Sequence, residues 1–158
     1  MPYLPRSPSA LLGRALSVLV LLACGLACAT DRGNSAAHPA PVSELFGNWI
    51  LIDLPSAPGV SPAVFERPAS LTLSAEGAVL GNTGINQYRG DLDLAALEQG
   101  VFRPGPLITT RMAGSPLAMA LEGVFLKALD EADGVRLDGE LLVLTRAGEP
   151  SVRLRREH

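Results

Sequence analysis

Histidine and cysteine are all but missing from the part of this chain that can fold. The two histidines are His38, near the start, and His158, the last residue, while both cysteines, Cys24 and Cys28, fall within the first 28 positions. A Ser/His/Asp triad or a histidine-based metal site therefore cannot be assembled inside the fold. Thiol nucleophiles, cysteine zinc clusters and a disulfide framework are excluded on the same ground. Lysine is nearly absent too: Lys127 is the only one among 13 basic residues, a skew that reads as coding bias rather than as a recognition surface. No apolar run is long enough to span a bilayer, which takes about 20 residues.

What is present at the start is an export segment. Arg6 and Arg14 precede an apolar run from Ala15 to Leu26, ended by Thr30, Asp31 and Arg32. A basic region followed by a short apolar stretch is the pattern of a secretory signal. Leu21-Leu22-Ala23-Cys24 resembles a bacterial lipobox, and Gly25-Leu26-Ala27-Cys28 resembles it nearly as well, so lipidation is expected at one of Cys24 and Cys28. Ordinary cleavage at the Ala27-Cys28-Ala29 pattern is the alternative. Neither lipobox has Asp at the second position after its cysteine, which by the same resemblance implies delivery to the outer membrane, facing the periplasm; ordinary cleavage implies a soluble periplasmic protein. The expected organisation is a signal peptide over 1–28, a flexible tether over 29–44, rich in Ala, Pro, Ser, Asn and Gly, and one domain over 45–158. Loss of the signal leaves 11 basic against 16 acidic residues, a charge of about −5 that argues against nucleic-acid binding.

The domain alternates with a period of two. Leu45 to Leu54 reads as a first strand with Trp49 as its core anchor, and Ser70–Ser74, Glu76-Gly77 and Ala78–Gly81 read as strand, turn and return strand. Tyr88–Leu94, Gly100–Arg103, Val135–Leu137, Leu141–Thr145 and Ser151–Arg155 continue the series. One segment has helical spacing: Ser115 as N-cap, Pro116 at the first position, then Leu117, Leu121, Val124, Phe125, Ala128 and Leu129 on one face, with Gly134 past the end. Gly123 in its middle suggests close packing against a strand. The fold class is α+β: a curved antiparallel β-meander, or a partly closed barrel, of about eight short strands with one α-helix packed on it.

Few side chains offer chemistry. Asp91 and Asp93 would share a strand face, Glu122 and Glu131 flank the helix, and Asp130, Glu131 and Asp133 sit before Gly134 without the spacing of a calcium loop. All read better as solvated charges, as does the Arg153, Arg155, Arg156 cluster, read as the solvated face and frayed end of a last strand. The most distinctive string is Gly81-Asn82-Thr83-Gly84-Ile85-Asn86-Gln87-Tyr88-Arg89-Gly90, whose glycines and asparagines imply a tightly shaped connection rather than a phosphate loop.

This string resembles the G-x-x-G-C-N-x-Y-x-G mark of the META domain family, which includes HslJ-type envelope proteins. Gly47-Asn48-Trp49 is similar to the family's leading G-x-W strand, and Thr110, Met112 and Ala113 are similar to its T-x-M-A-C mark. The family's two cysteines are Ile85 and Gly114 here, so the resemblance implies two neighbouring positions that have lost a thiol pair. It implies no cofactor, no catalytic residue and no metal, and an accessory role linked to stress response, antibiotic tolerance, motility or secretion. The positions it marks are Trp49, Gly84, Asn86, Tyr88, Gly90, Thr110 and Met112, with Arg111 beside them; Asn86 and Thr110 are expected to cap turns and Tyr88 to bury its ring. The expected partners are the membrane, through the lipid anchor, and a protein or small apolar ligand bound on the sheet; a periplasmic carrier of a small apolar ligand is the alternative, which requires a continuous apolar cavity.

Overall fold

The computed structural model describes residues 41–64 and 67–157. The expected signal segment with Cys24 and Cys28, the expected tether up to residue 40, His38 and His158 lie outside the described residues. In order, the elements are a helical turn α1 (Val42–Leu45), β1 (Gly47–Asp53), a 3-10 turn (Pro62–Val64), β2 (Ser70–Leu73), β3 (Ala78–Asn82), β4 (Gln87–Asp91), a helical turn α2 (Leu94–Leu97), β5 (Ile108–Thr109), α3 (Pro116–Asp130), β6 (Gly134–Asp138), β7 (Leu141–Arg146) and β8 (Glu149–Arg156).

The eight strands form one sheet in the order β5-β4-β3-β2-β1-β8-β7-β6, and every pairing is antiparallel. Two meanders, β1 to β5 and β6 to β8, are thus joined where the first strand pairs with the last. The edges β5 and β6 do not meet, so the sheet is an open meander and not a closed barrel. Between those edges in sequence comes α3, which carries the chain from one side of the sheet to the other.

Alternation decides which side chains fill the space under the helix. Trp49, Leu51, Leu71, Leu73, Val79, Tyr88, Leu142, Leu144, Val152 and Leu154 are at most 4% exposed and form one cluster with Leu121, Phe125 and Leu129 of α3. Burial of each such side chain is worth about 1.5–3 kcal/mol, so this layer carries the stability of the domain. Two bulges interrupt the ladder. Leu51 pairs with Leu154 but Asp53 with Arg153, leaving Ile52 extra, and Leu144 pairs with Val152 but Thr145 with Pro150, leaving Ser151 extra. The second bulge sits beside Pro150, which cannot donate to a regular ladder.

Several boundaries differ from those expected. The first strand begins at Gly47, because Val42–Leu45 coils into a turn that buries Leu45. The strand expected over Tyr88–Leu94 ends at Asp91; Asp93 instead accepts from Ala96 N at 3.0 Å and caps α2. Gly100–Arg103 is not a strand. It runs beside the start of β6, where Val135 N donates to Gly100 O and Phe102 N to Asp133 O, and so covers the first part of that edge. β5 was not foreseen, being only two residues long.

The helix begins as expected, with Ser115 Oγ accepting from Ala118 N at 3.3 Å and Pro116 in the first turn. Leu117 shares the apolar face but is 59% exposed, since residues 111–117 all lie outside the cover of the sheet. Gly123 does not pack on a strand: it is exposed, and a Cβ added there meets nothing within 4 Å. Glycine in an exposed helix interior costs about 1 kcal/mol relative to alanine. Gly123→Ala is therefore expected to stabilise the domain by up to about 1 kcal/mol and to raise its melting temperature by a few degrees, read by thermal unfolding.

Candidate functional site

The marked string folds into a turn that delivers one amide into the interior. Thr83 is fully buried: its N–H donates to Asn86 O at 2.8 Å and its Oγ1 accepts from Asn86 N at 3.0 Å. Gly84 adopts φ +91°, a conformation that a side chain disfavours, and donates to Asn82 Oδ1. The turn sends the Asn86 carboxamide inward, where it is 3% exposed.

All four hydrogen-bonding positions of that carboxamide are filled. Oδ1 accepts from Thr110 Oγ1 at 2.9 Å and from Met112 N at 2.7 Å. Nδ2 donates to Met112 O at 3.2 Å and to Glu122 Oε2 at 3.0 Å. Thr110 continues the grip, since its Oγ1 accepts from Gln87 N and its N–H donates to Gln87 O, both at 3.0 Å. One side chain thus ties the end of β3, the segment after β5 and helix α3 together. Ile85 and Gly114 are the near neighbours expected of them: a Cβ on Gly114 would lie 2.5 Å from Ile85 Cδ1.

Tyr88 is buried as expected, with its ring edge-on to Phe125 at a centroid distance of 6.2 Å and its hydroxyl donating to Ser70 O at 2.7 Å. The ring lies over Gly81, where any Cβ would overlap both Ser70 O and the phenol. A Cβ on Gly90 would press on Leu107 Cδ2 at 2.9 Å, so that glycine admits the segment before β5. Burial raises the Tyr88 pKa far above the ordinary phenol range, keeping the hydroxyl a donor.

On the central strand β1, Trp49 is 1% exposed and its Nε1 donates to Leu45 O at 2.8 Å. The Arg156 guanidinium stacks 4.2 Å from the indole centroid and donates to Phe46 O and Glu44 O. Gly47, at φ +129°, leaves room for it. Arg153 donates to Asp53 Oδ2 at 2.7 Å. The basic C-terminus is thus no frayed end: of the three arginines only Arg155 is exposed.

The carboxylates do not converge. Asp91 and Asp93 are both exposed, the second serving as a helix cap and pairing with Arg103 at 3.4 Å, so they are not a same-face pair on one strand. Glu131 pairs with Lys127 and with Arg146, and Asp133 accepts from Ala147 N. Glu122 is 7% exposed and bound to Asn86. Its burial was legible in principle, because it lies three residues before Phe125 on the apolar stripe of the helix. Thr83 and Arg156 were also missed, and no local pattern announces either.

Met112 stands apart from the other marked positions. Its backbone is held at both N–H and C=O by Asn86, yet its side chain is 57% exposed. Ile108, Leu117 and Met119 are exposed in the same stretch by 63%, 59% and 42%, with Leu80 at 41% across the sheet surface. An open depression of about 620 Å³ lies between Leu80, Arg89, Ile108 and Thr110.

Truncating Asn86 to alanine leaves the Met112 amide and the Glu122 carboxylate without partners, a loss of about 2–4 kcal/mol expected in urea unfolding, whereas Met112→Ala changes stability by less than about 0.5 kcal/mol. Because the Tyr88 pKa is raised on folding, its contribution is complete below the unfolded value of about 10 and is lost as pH rises beyond it. Alkaline destabilisation above about pH 10 is expected to weaken in Tyr88→Phe, followed by unfolding at stepped pH together with tyrosinate absorbance.

Three solved structures share the fold. An NMR structure of a protein from Burkholderia xenovorans is 27% identical, with a TM-score of 0.57 over 75% of this chain and 91% of that one. A second NMR structure is 20% identical, with a TM-score of 0.52 over 69% and 87%. The crystal structure of a DUF4847 family protein from Bacteroides vulgatus is 16% identical, with a TM-score of 0.50 over 73% and 97%. No protein of curated function matches the chain. The META domain matches over residues 43–158, from α1 through the last strand, and the chain belongs to the META domain family.

Proposed function

We propose that this protein is a non-catalytic, lipid-anchored accessory domain of the cell envelope that acts by binding a partner, in the stress or antibiotic-tolerance role that its family resemblance implies. The observation that carries this reading is the division of labour among the marked residues. Trp49, Gly84, Asn86, Tyr88, Gly90 and Thr110 are used by the scaffold, while Met112 offers its side chain to solvent and lines an open depression with Met119. Methionine-rich exposed apolar surface adapts to a partner.

The carrier reading has less support. Side chains around a ligand-sized interior cavity would carry accessible surface, and those between sheet and helix carry almost none. A small apolar ligand would have to use the open depression at Leu80 and Ile108 instead.

Intact mass of the protein recovered from native membranes and from the soluble fraction tests the anchor: a diacyl or triacyl adduct on Cys24 or Cys28 is expected, and an unmodified chain starting near Thr30 would overturn it. In a strain lacking the gene, a chain with Ile108→Asp and Met112→Asp is expected to fail to restore stress tolerance while Asp91→Asn restores it. The reverse result would point to chemistry rather than binding.

A further inference from the structure

The edge of the sheet at β5 is unlike the edge at β6. The start of the latter is covered by the Gly100–Phe102 segment. On the β5 side, Thr110 N donates to Gln87 O and Met112 N to Asn86 Oδ1, and Ile108 pairs with Arg89. In an antiparallel ladder, residues that bond to the neighbouring strand alternate with residues whose N–H and C=O point away. Ile108, Thr110 and Met112 therefore face the sheet, and Leu107, Thr109 and Arg111 turn their backbone groups outward. None of those three makes a backbone hydrogen bond outside the strand ladder among the described residues. No proline interrupts 107–114, although such edges are commonly blunted by one.

Charge at this edge has one sign. Arg89 lines the depression with Ile108, and Arg111 lines the next with Thr109 and Met112. Neither guanidinium makes an ion pair among the described residues. The one carboxylate lining either depression is Glu122, buried against Asn86. In a chain with more acidic than basic residues, a cationic edge beside exposed Ile108 is complementary to an acidic, part-apolar segment.

We propose that Leu107–Arg111 is a strand-addition site for an extended acidic peptide segment of another protein. The segment adds to the sheet beyond β5, pairs its backbone with Leu107, Thr109 and Arg111, and by its alternation rests apolar side chains by Ile108 on one face and sets carboxylates against Arg111 on the other. This rests on the reading of the domain as a binding module and deepens it by naming the partner's chemistry.

A fluorescent peptide of about ten residues alternating valine and glutamate, long enough for one strand, is titrated into the full chain. Binding with a Kd on the order of 10 µM is expected, with no binding of the valine/lysine counterpart. In NMR-detected hydrogen exchange the peptide is expected to slow the amides of Leu107, Thr109 and Arg111 and to leave those of Ile108 and Thr110 as they were. Thr109→Pro removes one outward donor without touching a β4 bond and is expected to abolish binding, its fold checked by the unfolding midpoint. Arg111→Glu, which spares the backbone, weakens binding at least about tenfold. No binding at about 1 mM peptide, or binding without the alternating protection, overturns the proposal. So does binding to phosphatidylglycerol vesicles in place of the peptide, which would make the patch a membrane contact. Restoration of stress tolerance by the Thr109→Pro chain would overturn the edge as the contact while leaving the binding module in place.

Discussion

The hydrogen bonds of the Asn86 carboxamide join three segments at one buried point. Beyond Thr110 the chain leaves the regular ladder, and nothing in the exposed stretch 111–117 could anchor it by burial. By gripping Met112 at both backbone groups and Glu122 on the helix, Asn86 fixes where α3 starts and how it is turned over the sheet. The apolar stripe of the helix then falls on the inner side chains, with Phe125 edge-on to Tyr88. A buried carboxylate is tolerable only with a donor in place, so the amide and Glu122 justify each other.

A second constraint acts where the two meanders join. The β1–β8 pairing links residues about a hundred positions apart, and Arg156 completes it by stacking on Trp49 and capping the carbonyls of α1 and Phe46. A guanidinium in that position serves the indole face and the orphan carbonyls of a helical turn at once. The two ends of the domain are thereby closed on each other, leaving β5 and β6 as the only edges of the sheet.

The family marks acquire physical meaning in this frame. Gly81 exists so that the Tyr88 ring can cross the sheet, and Gly84 so that the turn can present Asn86. Thr110 prolongs the β4–β5 ladder through its hydroxyl after regular pairing has stopped. The pair Ile85 and Gly114 shows how the site survives without thiols: a large aliphatic side chain fills the space that a Cβ at position 114 would need. Signature residues of this kind preserve a joint, and a binding surface can vary around it.

The sequence by itself determined the strand period, the helix from its Ser115 cap, the absence of histidine and thiol chemistry from the fold, and membership in the family through three ordered marks. Each of these is local, because a residue's own strand or helix fixes which way its side chain points. Asp93 was misread for the same reason: alternation continues on paper past Asp91, while the chain turns to cap α2. Only the tertiary structure decided that the sheet stays open, that Gly100–Phe102 covers the start of β6, that Arg156 belongs to Trp49, and that Glu122 is buried. Those outcomes depend on contacts between distant segments, settled by which apolar faces fit together and which polar groups they strand, and such contacts leave no periodic trace in the residues that make them.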